Sequence, residues 1–282
     1  MWKTFAWSLC CDYMAASADE QRRITIEVCI DSVESAESAI RGGADRLEVC
    51  GNLAVGGGTT PSLGLVNVLH KRYPSVPLMV MVRPRVGDFL YSSGEIETMR
   101  EDIRLFKQAG VAGVVIGLLT SAGAVDVEAT AELVQEARPL QVCFHRAFDT
   151  AKGPAWDTYD ALRSIGVTRI LTSGGSTAVT NSFDVIVKLL EVSASNESGP
   201  TILPGAGINA KTISSVLTDL LPHGLTEVHL SGGKWRKGIM AHRHDGLGMG
   251  AGGGHDWDVW RTEEAAVRAV REAVDAAVTR RP

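Results

Sequence analysis

Short apolar runs alternate along the chain with longer stretches whose apolar residues recur every three or four positions. The first kind reads as buried strands, the second as helices with one inward face. Strands are expected at residues 24–30, 46–50, 78–83, 111–117, 140–145, 169–172, 201–203 and 227–230. Helices are expected at 33–41, 62–72, 94–109, 127–137, 156–165, 183–192, 211–221 and 262–278. In the third of these, Ile96, Met99, Ile103 and Phe106 mark the buried face. Ser62 reads as a helix N-cap after Pro61, and Gly42-Gly43 as a helix stop. Residues 232–258 read as one long loop. Alternating strands and helices indicate a parallel sheet. About eight such units closing on themselves make an α/β fold, a single (β/α)8 barrel of TIM type. The competing fold is an open doubly wound sheet, but its G-x-G-x-x-G turn is absent after the first strand. The barrel domain is expected over 23–282. Residues 1–22 are expected to be a disordered tail or start-site artefact, with an organelle-targeting segment as the alternative.

Barrel strands bury both faces, aliphatic outward and functional groups inward near their carboxyl ends. Alternate side chains share a face. Ile26 and Val28 therefore point outward, and Glu27 and Cys29 inward. The second strand repeats this with Leu47 and Val49 outward, and Arg46, Glu48 and Cys50 inward. Arg83, Cys143, His145, Glu227 and His229 also fall on the inward parity. The barrel mouth is expected to gather Glu27, Cys29, Glu48, Cys50, Arg83, His145, Glu227 and His229. The bland alternative is a self-neutralising ion lattice that only fills the barrel.

Two chemistries compete for these residues. Two thiols at equivalent places on neighbouring strands, Cys29 and Cys50, suit a soft metal. Without an obvious third thiol nearby they suit Cu(I) better than zinc. They also read as small buried hydrophobes, or as a disulfide. Acid–base chemistry is the other option, with Glu27, Glu48 and His145 as the proton-handling groups. The strand-end loops supply Arg83, Arg85, Asp88, Arg146 and Asp149, and arginine pairs are suited to carboxylate or phosphate. Ser173, Gly205, Gly207, His229, Ser231 and Gly232 complete the candidate anion site, since the last two barrel loops often bind phosphate. The glycines read equally as tight turns. His242, His244 and His255 lie in a glycine-rich stretch that reads as a surface loop.

Composition narrows the field without choosing. The chain has 282 residues, a net charge of -5 and five cysteines. The charge gives no footprint for nucleic acid, and no apolar run approaches the roughly 20 residues of a membrane span. The cysteines form no regular framework, so they read as reduced thiols of a cytoplasmic protein. No lysine falls in an expected strand, and there is no G-x-S-x-G elbow or P-loop.

The sequence resembles the CutC family, often called copper homeostasis proteins. The resemblance rests on Ile26-Glu27-Val28-Cys29, Gly42-Gly43-Ala44-Asp45-Arg46-Leu47-Glu48-Val49-Cys50 and Thr60-Pro61-Ser62. It continues through Arg83-Pro84-Arg85, Gly87-Asp88-Phe89, Phe144-His145-Arg146-Ala147-Phe148-Asp149 and Leu171-Thr172-Ser173-Gly174. Gly205-Ala206-Gly207 and Glu227-Val228-His229 complete it, so it covers residues from about 25 to 250. The chain departs from the family pattern at Val86, in the length of the Gly56-Gly57-Gly58 loop, at Leu230 and at Cys143. The resemblance implies a TIM-type barrel, a cytosolic homo-oligomer, a link to copper tolerance, and a copper ion as partner. It also implies Cu(I) binding through two thiols, matched here by Cys29 and Cys50. Two readings follow: a copper homeostasis protein, or a barrel enzyme acting on a small anionic, perhaps phosphorylated, ligand.

Overall fold

Eight strands pair only in parallel: β1 (Thr25–Ile30), β2 (Arg46–Val49), β3 (Leu78–Met81), β4 (Gly113–Ile116), β5 (Gln141–Phe144), β6 (Arg169–Thr172), β7 (Thr201–Pro204) and β8 (Glu227–Leu230). The ladder runs β7-β6-β5-β4-β3-β2-β1-β8. Its two ends meet: a Cβ added to Gly205, just after β7, would lie 3.3 Å from His229 Cβ on β8. The sheet is thus rolled into a nearly closed barrel, with a helix after each strand on the outside. This computed structural model describes residues 23–196, 198–244 and 246–279, so the tail expected at 1–22 lies outside the described residues. Among those described, no helix is long and apolar enough to cross a membrane.

The helices start where side chains can accept their free N–H groups. Ser32 caps α1 (Val33–Arg41), and Asp126 caps Val127–Ala137. Ser92 and Glu95 form a reciprocal capping box on Ser93–Gln108. Their apolar faces pack on the outward strand residues, including Ile26, Val28, Leu47, Val49, Val80 and Phe144, in one large core.

Two elements differ from the expected pattern. The 232–258 stretch is not all loop. β9 (Gly233–Lys237) and β10 (Asp258–Thr262) pair antiparallel, with Trp235 opposite Trp260. Its charged, half-exposed strands carry little apolar alternation, which is why the pattern missed them. A single helical turn, Leu53–Gly56, also precedes the Gly57-Gly58 turn after β2.

Inside the barrel the side chains form distinct groups. One is apolar, made of Cys29, Cys50, Met79, Met81, Val115, Cys143, Leu171 and Leu203. Another is an ion lattice. Arg46 bonds Glu27, and its Nη2 donates to Glu227 Oε2 at 2.7 Å. Arg169 grips the same Glu227 with Nε at 2.6 Å and Nη2 at 3.1 Å, and reaches Gln141 Oε1 at 3.0 Å. All four ionic side chains are buried. Glu27 and Glu227 were expected at the mouth. The register instead sets Glu27 opposite Arg46, the first residue of β2, and Glu227 opposite Thr25, the first of β1. That places them in the neutralising lattice toward the strands' amino ends.

Removing one member of a buried ion group strands its partners. Glu227→Gln should therefore lower stability by about 3–5 kcal/mol, read as a drop in urea midpoint. Burial alone would raise the Glu227 carboxyl, but the bonds and charges of Arg46 and Arg169 outweigh it and hold it below its ordinary value. The unfolded chain therefore takes up this proton first. The stability Glu227 supplies is complete above about pH 4.5 and is lost as pH falls through the folded value. In Glu227→Gln that part of the acid slope should disappear.

Candidate functional site

Above the lattice, the carboxyl ends of β1, β2, β3, β5 and β8 converge on a cavity of about 120 Å³. Cys29, Glu48, Arg83, His145, Arg146 and His229 line it, together with Leu53, Gly57, Met81, Phe89 and Leu171. Three of these form a tight group. One potential ligand atom from each of Cys29, Glu48 and His229 lies within 4.8 Å of the others, and all three residues are buried. The β1–β2 register places Cys29 directly beside Glu48. His229 comes from β8, on the other side of β1, and its Nε2 lies 2.9 Å from Glu48 Oε2 and 3.9 Å from Glu27 Oε1.

Charge binds this group together. Burial would lower the His229 imidazole, but the Glu48 charge and the Cys29 contact push it well above its ordinary value. The protonated ring is the form favoured beside Glu48. Burial raises the Cys29 thiol, with His229 opposing. Burial also raises Cys50 and Cys143 well above the ordinary thiol range. All three cysteines are free, so the disulfide alternative is not realised.

The two thiols are not at equivalent heights. Cys29 pairs with Glu48, so Cys50 stands two residues further along β2, about 6.6 Å at the usual strand rise. Cys50 lies outside the three-atom group, but both thiols belong to the same buried inner cluster. The glycine turn closes over it: a Cβ on Gly58 would sit 3.2 Å from Cys50 Sγ, and Gly58 has a φ of +93°.

His145 is held differently. Its Nδ1 accepts the Ala147 N–H at 3.1 Å, so the proton of the neutral ring is on Nε2. Burial, and then the charge of Arg83, lower this imidazole to about 4. Phe89 lies against the ring at a centroid distance of 4.9 Å. Gly117 lies behind it, where an added Cβ would fall 2.2 Å from His145 Cε1. Only a glycine leaves room there for the ring.

The candidate anion residues divide into three sets. Arg85 is spent on its own loop, bonding Glu95, Asp88 and the Leu90 carbonyl. Neither it nor Asp88 lines the cavity. Arg146 does line it, anchored by Asp149 at 2.7 Å and Ser173 at 2.9 Å. Asp149 in turn accepts from Thr172, Ser173 and Gly175. Gly207, Ser231 and Gly232 line a second, larger cavity of about 470 Å³ that shares Cys29, Arg146 and His229 with the first. Gly205 is the closure point of the barrel. Sequence reading missed Asn209, which also lines the second cavity, and Ser176, whose carbonyl accepts from Arg146. It also missed Arg169, although strand parity pointed it inward beside Leu171 and Ser173.

The neutral state of His145 has two measurable consequences. Nitrogen-edited NMR should show a proton on Nε2 at neutral pH and titration near 4. Between about pH 6.5 and 4 the unfolded chain protonates this residue and the folded chain does not. Stability should therefore fall with pH across that window, by at most about 1.4 kcal/mol per pH unit. His145→Gln should remove that contribution, and an unchanged slope would refute it. Gly117→Ala should cost about 1–3 kcal/mol by overpacking against the ring.

The model of the CutC family matches residues 24–234. A CutC family protein of Pasteurella multocida is 41% identical over 250 residues, covering 89% of this chain and 98% of that protein. A Homo sapiens protein named copper homeostasis protein cutC homolog is 42% identical over 226 residues, 80% of each chain. A crystal structure of a CutC protein from Streptococcus agalactiae superposes with a TM-score of 0.67 at 31% identity, covering 73% of this chain and 97% of that one. Phosphoribosyl anthranilate isomerase of Thermotoga maritima shares the fold alone, with a TM-score of 0.54 at 11% identity.

Proposed function

This chain belongs to the CutC family of copper homeostasis proteins, and from that premise we propose that it binds a copper ion at the barrel mouth. The bound form is Cu(I), held by the thiolates of Cys29 and Cys50 with the His229 imidazole. The observation that carries this reading is the buried group of Cys29, Glu48 and His229, with ligand atoms within 4.8 Å. Soft thiolates select Cu(I), and imidazole suits copper as well. The carboxylate of Glu48 is a hard donor. Its contact with His229 suits it to orienting the ring and stabilising the charge around the ion. Cys50, two residues beyond Glu48 on the same strand, supplies the second sulfur.

Copper must displace protons from the thiols and from the imidazolium. Affinity is therefore expected to rise with pH. The free state of Cys29, Cys50 and Cys143 fits the reducing conditions of a cytosolic protein.

Anaerobic Cu(I) titration against a competing chelator tests the assignment. The wild type should bind about one Cu(I) tightly. Cys29→Ser and His229→Gln should each weaken it by at least about 10–100-fold, the cost of losing even an outer partner of a metal ligand. Cys50→Ser should weaken it similarly. Unaltered binding by the Cys29→Ser, Cys50→Ser double variant would remove the thiol site.

A further inference from the structure

Arg83 is buried without a counter-ion. It is 9% exposed, and among the described residues no carboxylate pairs with it. Its Nη1 donates to the carbonyls of Gly56 and Gly58 at 2.7 and 2.9 Å, and Nη2 to that of Gly87 at 3.3 Å. Phe89 lies 5.2 Å from its Cζ. The contrast with Arg46 and Arg169, which Glu27 and Glu227 together neutralise, is plain. A buried charge of this kind calls for an anion.

The same cavity has further unmet groups. Glu48 Oε1, Arg83 Nε and His145 Nε2 are buried and unmet among the described residues, as is the Tyr91 hydroxyl, which lies beside Arg83 outside the cavity. The first three residues line the 120 Å³ cavity. An unmet buried polar atom is costly, so three on residues around one small space call for a polar occupant. Arg83 Nε–H is always a donor. His145 Nε2–H is a donor because Nδ1 accepts from Ala147. Glu48 Oε1 is the acceptor, its other oxygen being held by His229. The ligand must present acceptor oxygens to two donors, negative charge to Arg83, and a donor to Glu48.

Size and wall chemistry narrow the class. At about 30 Å³ of liquid volume per water, the space takes roughly four waters, enough for an acid of two or three carbons, and it adjoins the second cavity along Cys29, Arg146 and His229. Met81, Phe89 and Leu171 give it an apolar side. We propose that this cavity binds a small 2-hydroxy carboxylate. Its carboxylate accepts from Arg83 Nε–H and His145 Nε2–H, and its hydroxyl donates to Glu48 Oε1. The site borders the copper group and shares Glu48 with it, but its two donors, Arg83 and His145, lie outside that group, so binding is tested on the metal-free protein.

The test uses the full chain, held metal-free with a chelator, and titrates glycolate, lactate, acetate and sulfate by calorimetry and by NMR of the His145 ring. A failed copper titration leaves this experiment standing, and the reverse holds too. Glycolate or lactate should bind saturably, about tenfold or more tighter than acetate, which lacks the hydroxyl, and tighter than sulfate. The His145 Nε2–H resonance should shift on binding. His145→Phe keeps an aromatic ring and removes the donor, and should weaken glycolate by about 10–100-fold, the range of one charge-assisted hydrogen bond. Glu48→Ala should bring glycolate down to the level of acetate. Thermal melts confirm that each variant is folded, and an unfolded His145→Phe leaves the wild-type resonance shift and the acetate comparison to decide. No saturable binding, equal binding of glycolate, acetate and sulfate, or a silent His145 resonance would overturn the proposal.

Discussion

The barrel depends on a buried exchange of charge between Glu27, Arg46, Glu227 and Arg169. Four ionic groups are removed from water near the amino ends of the strands, and their mutual bonds must offset that cost. Glu227 takes two guanidiniums from strands on different sides of the barrel, so β2, β6 and β8 are held in fixed relative height. That height determines which inward residues appear at the other end. Cys29 and His229 stand directly above Glu27 and Glu227 on the same strand faces. The floor is neutralised from within, and the mouth keeps charges that are not.

The mouth itself is formed by two differently biased histidines. His229 sits against Glu48 and Cys29 and is drawn to the protonated form. His145 sits behind Arg83 and Phe89 and is held neutral, lowered to about 4. Two rings of the same intrinsic acidity are separated by their neighbours alone. One is suited to join a thiolate around a soft ion, the other to donate a single hydrogen bond from Nε2. His145 requires the glycine behind it, Gly117, because a Cβ would collide with the ring, while a Cβ on Gly205 would collide with Leu171 Cδ1 at 2.7 Å and crowd His229 at 3.3 Å. Loop composition therefore supports the site even where the glycines bind no anion themselves.

Much of this was legible in the amino-acid sequence. The two-residue period of each strand separated Ile26 and Val28 from Glu27 and Cys29, and it led to the right fold because eight strands alternate with helices. Inter-strand register was not legible. Nothing in Leu47-Glu48-Val49-Cys50 says that Glu48, not Cys50, lies beside Cys29, because register depends on barrel stagger, a property of the whole closed sheet. The same blindness placed Glu27 and Glu227 at the mouth. Arg83 and Arg85 looked alike as arginines leaving the third strand, but only Arg83 lines the cavity, while Arg85 turns away onto Asp88 and Glu95. The β9–β10 hairpin escaped notice because its strands are charged and half exposed, so no apolar alternation marks them.

The central claim is that Cys29, Cys50 and His229 form one soft-metal site. X-ray absorption at the copper edge of the anaerobically loaded protein tests it most directly. The account predicts a Cu(I) edge with sulfur scattering and an imidazole contribution, the sulfur signal falling in Cys29→Ser and the imidazole signal in His229→Gln. A spectrum of oxygen and nitrogen neighbours alone, unchanged in both variants, would contradict it.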